Sequence, residues 1–120
     1  MPNKRLPEDV KQVCLWLVRG YPRRLKAHHE GRYNDEGHGK TTATGELERM
    51  KAVEQALVDV GADIDADEVR EQLRIAVMLN VESGRRYPYE KLELSAVSRS
   101  DFYRRKNKFL KDIAVRLGMA

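Results

Sequence analysis

The clearest folding signal in the chain is the stretch VSRSDFYRRKNKFLKDIAVRL, residues 97–117. Ser98 is a preferred helix-capping residue, and Asp101 lies three residues later, where an acidic side chain completes a capping box. Val97 and Phe102 lie on either side of the cap, at the spacing of a hydrophobic staple. The stretch therefore predicts a long helix that begins after Ser98 and runs to the end of the quoted residues.

This helix is expected to have one apolar and one polar face. At about 100° per residue, four apolar side chains fall within about 80° of each other: Phe102, Phe109, Ile113 and Leu117. The opposite face is polar and basic, with Arg99 and Tyr103 beside its first turn, and it carries Ser100, Arg104, Asn107, Lys108 and Lys111. Lys106 falls inside the apolar face, so its stem must lie along the core while its amine reaches solvent.

Two shorter segments precede this helix. Pro88 favours a helix start and opens a short helical piece from Tyr89 to Leu94. Before it, Asp65 is expected to cap a helix that ends near Gly84, with Glu68 completing a second capping box.

The first half of the chain predicts two further helices. Apolar spacing predicts an N-terminal helix within residues 1–30, kinked near Gly20 because a proline follows. Residues 31–44 are rich in glycine and polar side chains and predict a flexible loop. A helix from Gly45 to Val60 follows, and Gly61 is expected to end it.

The N-terminal helix has one apolar stripe, formed by Val10, Val13, Cys14, Leu17, Val18, Tyr21 and Leu25. We expect this helix, with Trp16 and Tyr21, to pack on the rest of the bundle or on a second copy of the chain. Strand-like alternation is absent from the sequence. The predicted fold is all-α, with four or five helices, and residues 45–120 form its helical domain.

The charge is unevenly distributed along the chain. The net charge of +4 combines +5 over residues 1–32, −1 over 33–44, −6 over 45–82 and +6 over 83–120. The basic ends can be solvated surfaces that attract the acidic middle, or they can face an anionic partner, most simply nucleic acid.

Several classes of protein are disfavoured. A single cysteine, Cys14, cannot form an internal disulfide, and the longest apolar run, Cys14 to Val18, is far too short to span a bilayer. The chain also begins without the apolar stretch of a signal peptide. These features predict a cytoplasmic protein that does not interact with membranes.

The candidate chemical motifs are incomplete. The stretch 37–42 resembles a phosphate-binding loop, but it lacks the first glycine and a preceding strand. Asp63, Asp65 and Asp67 have the spacing of a calcium loop, but the glycine and glutamate that such a loop needs are missing. The histidines, His28, His29 and His38, do not form a metal-ligand pattern. We expect no metal, no cofactor and no enzymatic activity.

The last helix carries the functional prediction. Arginine, asparagine and serine read base edges in DNA, whereas lysine neutralises phosphate. A short helix and a turn precede it, so residues 86–118 read as a helix-turn-helix. The side chains expected to face the DNA are Arg99, Ser100, Tyr103, Arg104, Asn107 and Lys108. Of these, Arg104 lies where base edges are within reach, whereas Lys108 is expected to meet the phosphate backbone, as are Lys111 and Arg85 or Arg86. The plainer alternative is a charged helix on the surface of a bundle.

The residues 94–105, LSAVSRSDFYRR, also resemble the turn and recognition helix of small phage and prophage transcriptional regulators of the ArpU and RinA kind. The C-terminal half of those proteins resembles region 4 of sigma factors. The stretch LWLVRGY, residues 15–21, is similar to the opening of such prophage proteins. The usual Leu-Gly-Val-Ser turn is here one residue longer and lacks glycine. The resemblance implies sequence-specific binding of double-stranded DNA by a transcriptional regulator.

Two rival interpretations remain at this point. The same module could serve a phage DNA-packaging or replication accessory protein. Alternatively, the chain could be a structural or interaction protein whose basic helix binds an acidic protein surface. RNA polymerase and a second copy of the chain are further candidate partners, since helix-turn-helix proteins often dimerise.

Overall fold

The computed structural model describes residues 6–29 and 39–120, and these residues form five α-helices and no strand. The helices are α1 (Glu8–Arg19), α2 (Tyr21–His29), α3 (Gly39–Asp59), α4 (Asp67–Glu82) and α5 (Arg99–Arg116), with one 3-10 turn at Tyr89–Lys91. The all-α prediction is confirmed. In the described part of the chain, no helix has the length and apolar character needed to cross a membrane.

Helix α5 lies at the centre of the packing. It contacts α1, α3 and α4, and it contributes the large side chains Phe102, Phe109, Leu110 and Ile113 to the core, each at most 1% exposed. The predicted apolar face is therefore confirmed, but it is wider than expected, because Leu110 and Ala114 are also buried. A helix that packs against several neighbours must bury a broader arc than one that packs against a single partner.

Helices α1 and α2 are separated at Gly20, where the sequence predicts a kink. The Gly20 N–H still bonds to the Trp16 carbonyl at 2.8 Å, and the Arg24 N–H bonds to the Gly20 carbonyl at 3.0 Å. Pro22 has no N–H to donate to the carbonyl of Val18, which breaks the regular ladder. The Arg24 side chain then folds back, and its Nη1 donates to the Leu17 carbonyl at 3.0 Å.

The apolar stripe of α1 differs from the predicted one. Leu15 is buried, whereas Val13 is 37% exposed. Trp16 is 64% exposed, so it does not pack on the bundle, and its packing on a second copy of the chain stays a prediction. Because α1 contacts α3, α4 and α5 together, its buried arc is centred on Cys14 and Val18, and Trp16 points away from it.

Helix α3 begins at Gly39, six residues earlier than predicted, so part of the expected 31–44 loop is helical. Extending an existing helix adds one hydrogen bond for each residue fixed, which costs far less than nucleating a new one. The remainder of that predicted loop, residues 31–38, lies outside the described residues. The predicted end of α3 is confirmed, since Gly61 has a φ of +74°, a left-handed conformation that favours glycine.

Helix α4 begins one residue later than predicted. Ala66 occupies the cap position without a side-chain hydrogen bond, so the capping box of Asp65 and Glu68 is not formed. The Arg70 side chain stabilises this helix start instead, because its guanidinium bonds to the Ile64 carbonyl at 2.9 Å and pairs with Asp67. Because the guanidinium is only a donor, Arg70 fixes the chain before α4 but does not cap the free N–H groups of its first turn.

The predicted start of α5 is confirmed. Ser98 is the cap, and its Oγ accepts a hydrogen bond from the Asp101 N–H at 3.2 Å. Val97 and Phe102 are both buried, as a hydrophobic staple requires.

We expect Ser98→Ala to lower the free energy of unfolding by about 1 kcal/mol, because one amide of the first turn loses its acceptor. Urea melts followed by circular dichroism measure the change. Ser83→Ala is the matched control, since that serine is the C-cap of α4 and should be nearly neutral. Equal losses in the two variants would contradict the capping role of Ser98.

Candidate nucleic-acid interface

The segment before α5 is a tight turn. Only Tyr89–Lys91 is helical, as a single 3-10 turn, so the predicted helical piece from Tyr89 to Leu94 is shorter than expected. The Tyr89 hydroxyl lies 3.1 Å from the Leu94 carbonyl, and the Tyr89 ring packs on Phe102 with ring centroids 5.7 Å apart. Through these contacts Tyr89 holds the segment after it against the start of α5. Glu93 takes the left-handed conformation, with φ 54°.

The outer face of α5 is as polar as the sequence predicts. Ser100, Arg104, Asn107, Lys108 and Lys111 are all exposed. They recur every three or four residues, which places them on one continuous surface about three turns long. We call these five residues the outer face of α5.

Arg99 and Tyr103 lie at one edge of the outer face. The Arg99 guanidinium lies 5.1 Å from the centroid of the Tyr103 ring, and its Nε pairs with Glu90 at 3.0 Å. Tyr103 is half-buried and packs edge-on against Phe102, with centroids 5.2 Å apart. Both side chains are therefore held in place by neighbours, with part of each still accessible.

The opposite edge of α5 is fixed by ion pairs. Arg105 binds Asp63 through two parallel hydrogen bonds of 2.8 Å and binds Asp101 at 3.0 Å. These bonds hold the pKa of both carboxyl groups below the usual range, and they raise the pKa of Arg105. Arg116 likewise pairs with Asp59 at 2.9 Å. These arginines attach α5 to the end of α3 and the turn after it.

Some of the basic side chains of the outer face lie close to these acidic side chains. Arg104 pairs with Asp101, which precedes it by three residues. Lys108 lies close enough to Asp63 for its charge to help lower the pKa of that carboxyl group. Lys111 lines a surface cleft between α5 and the end of α3, together with Asp59, Asp63 and Asp112. The acidic side chains therefore offset part of the positive charge on the side of the outer face that is nearer to α3.

Arg85 and Arg86 are exposed on the turn that follows α4. The Asn80 side chain, 2% exposed, donates from Nδ2 to the Tyr87 carbonyl at 2.9 Å, and the Tyr87 N–H bonds back to Ser83. These two hydrogen bonds close the turn that carries Arg85 and Arg86.

The exposed residues of the candidate interface were predicted from the sequence, but the residues that hold them in position were not. Asn80, Asp63 and Arg105 were not predicted to take part. No local signal marks Asn80 or the Arg105–Asp63 pair, since the pair joins residues 42 positions apart. The one available hint is the surplus of acid in residues 45–82 facing a surplus of base in residues 83–120.

Comparison with known proteins found no family model, no curated protein and no solved structure that matches this chain.

Proposed function

We propose that this protein binds duplex DNA through the outer face of α5 and acts as a transcriptional regulator. The observation that supports this function best is the outer face itself. It is a straight, exposed strip of serine, arginine, asparagine and lysine on a helix whose other sides are packed. An α-helix of this kind fits the major groove of B-form DNA, where those residue types contact base edges and phosphates.

The helix-turn-helix proposed for residues 86–118 uses α5 as the recognition helix, with the 3-10 turn Tyr89–Lys91 before it. The resemblance of residues 94–105 to prophage regulators points to the same function. On this proposal Arg85 and Arg86 contact the DNA backbone beside the recognition helix.

The test is fluorescence anisotropy with a labelled duplex selected from random sequences and a scrambled duplex, each at several salt concentrations. Specific binding that weakens steeply with salt supports the proposal, because each neutralised phosphate releases counterions. Absence of binding to either duplex at low salt would reject it, and binding of the basic helix to an acidic protein surface would then be the better account.

The Arg104→Ala variant tests whether Arg104 contacts a base or only a backbone phosphate. We expect a loss of about 1–3 kcal/mol on the selected duplex and a much smaller loss on the scrambled one, because a bidentate arginine contact depends on the base. Arg49→Ala is the matched control, since Arg49 is also exposed and also pairs with an acid three residues before it. Equal losses on both duplexes would show that Arg104 contacts only the backbone.

A further inference from the structure

The packing of the bundle leaves one face of α1 exposed. This face lies opposite the buried Cys14 and Val18. Five exposed residues, spaced three or four apart along α1, form it: Asp9, Gln12, Val13, Trp16 and Arg19. At about 100° per residue they fall within about 120° of one another, so they make one continuous surface. We call these five residues the exposed face of α1.

Trp16 lies at the centre of this face. It is 64% exposed, and Val13 beside it is 37% exposed, so together they present an apolar patch to water. Covering the patch would remove apolar surface from water, which is favourable. Tryptophan is also one of the residue types that contribute most to the binding energy of protein interfaces.

The two ends of the exposed face carry opposite charges. Asp9 lies in the first turn of α1 and Arg19 in its last turn, about 15 Å apart along the helix axis. The Arg19 Nε donates to the Val81 carbonyl at 3.0 Å, which holds the side chain and leaves four of its five N–H groups for another acceptor. Among the residues that the structure describes, neither Asp9 nor Arg19 takes part in an ion pair.

A helix face with this pattern is complementary to a second copy of itself. When two such faces meet about a twofold axis perpendicular to the helices, the helices run antiparallel and each end meets the opposite end of the other copy. An axis that passes beside residue 14 places Asp9 of each copy against Arg19 of the other. It also places the two Trp16 side chains about 6 Å apart along the helix direction. A parallel arrangement would instead bring like charges together.

We propose that two copies of this protein associate through the exposed faces of their α1 helices. The helices are antiparallel, Trp16 lies at the centre of the contact, and Asp9 pairs with Arg19 of the second copy at both ends. Helix α1 has 12 residues, so a contact limited to it is smaller than the roughly 800 Å² per partner of a standard stable interface. The dimer is therefore weak and forms at high protein concentration, without any need for DNA.

Sedimentation equilibrium of the full chain, without DNA, tests the association itself. From about 10 µM to about 1 mM protein, the range suited to a weak contact, the average mass should rise from that of one chain toward that of two. A mass that stays at one chain over this range would overturn the proposal and leave the exposed face of α1 to a different partner.

Trp16→Ala tests the centre of the contact. It should weaken association about thirtyfold, because the twofold axis makes each substitution count twice. Ile75→Ala is the matched control, since Ile75 is also an exposed apolar side chain, 58% exposed, but lies on α4. If Ile75→Ala weakens association as much as Trp16→Ala does, the contact does not run through α1 in the proposed way.

Charge reversal tests the ends of the contact. Asp9→Arg and Arg19→Asp each bring like charges together twice, and each should weaken association about tenfold at about 0.05 M salt, where screening is weak. Glu68→Arg is the control for Asp9→Arg, because Glu68 is also an exposed acid in the first turn of a helix. It should leave association unchanged. Equal losses in these two variants would contradict a specific role for Asp9.

An equimolar mixture of the Asp9→Arg and Arg19→Asp proteins gives the decisive result. In a mixed dimer the introduced arginine faces the introduced aspartate, and the original arginine faces the original aspartate. Association should therefore return to about the wild-type level, which mixing could not achieve if either variant were simply misfolded. If the mixture associates no better than each variant alone, the antiparallel pairing is rejected.

Discussion

Phe102→Ala is expected to lower the free energy of unfolding by about 3–4 kcal/mol. Phe102 is fully buried, packs on the rings of Tyr89 and Tyr103, and forms one half of the hydrophobic staple with Val97. Its removal leaves a cavity at the start of α5 and detaches the turn that leads into that helix. A loss of this size is a large part of the stability of a small domain.

Urea unfolding followed by circular dichroism measures this effect. Val115→Ala is the matched control, because Val115 lies on the same helix but is 52% exposed, and its truncation should change stability by less than about 0.5 kcal/mol. Phe102→Leu, which keeps most of the buried volume, should lose less than Phe102→Ala. Similar, small losses in all three variants would mean that α5 is not packed through this residue.

The largest expected effect on function belongs to the double variant Lys108→Ala with Lys111→Ala. Both side chains are exposed on the outer face, where a duplex backbone would approach. Losing two phosphate contacts should lower the salt slope by about two and weaken binding about 60-fold at about 0.1 M salt. The selected and scrambled duplexes should be affected alike, because phosphate carries no sequence information.

The control for this double variant is Lys26→Ala with Lys51→Ala. It removes the same net charge from exposed lysines on α2 and α3, away from the proposed interface. Fluorescence anisotropy should then show only a small loss. If the two double variants weaken binding equally, overall charge rather than the outer face of α5 attracts the DNA.

The parts of the fold that were predicted correctly depend on neighbouring residues. The Ser98 cap, the staple around it and the left-handed Gly61 all act within a few positions along the chain, so their signals are visible in the sequence. The start of α4 shows the limit of such signals. Asp65 is a good cap by type, but Ala66 occupies the cap position one residue later, and the Arg70 side chain bonds to the Ile64 carbonyl just before it.

The features that were not predicted depend on contacts between helices that lie far apart in the sequence. The exposure of Trp16 follows from α1 packing against three helices at once, which periodicity within α1 does not reveal. The same holds for the candidate site. Arg105 is visible in the sequence as one more basic residue of α5, but its pairing with Asp63 needs the contact between α5 and the turn after α3. Side chains of one helix can be placed from sequence, whereas their partners on other helices cannot.

The exposure of Trp16 also determines what its fluorescence reports. The chain has one tryptophan, and its indole already faces water in the folded state, so its emission should change little on unfolding. That same exposure makes it sensitive to any surface that covers α1. Val13, at 37% exposure, widens this apolar part of the helix. Self-association through α1 would transfer the indole to a drier environment and shift its emission toward the blue as protein concentration rises.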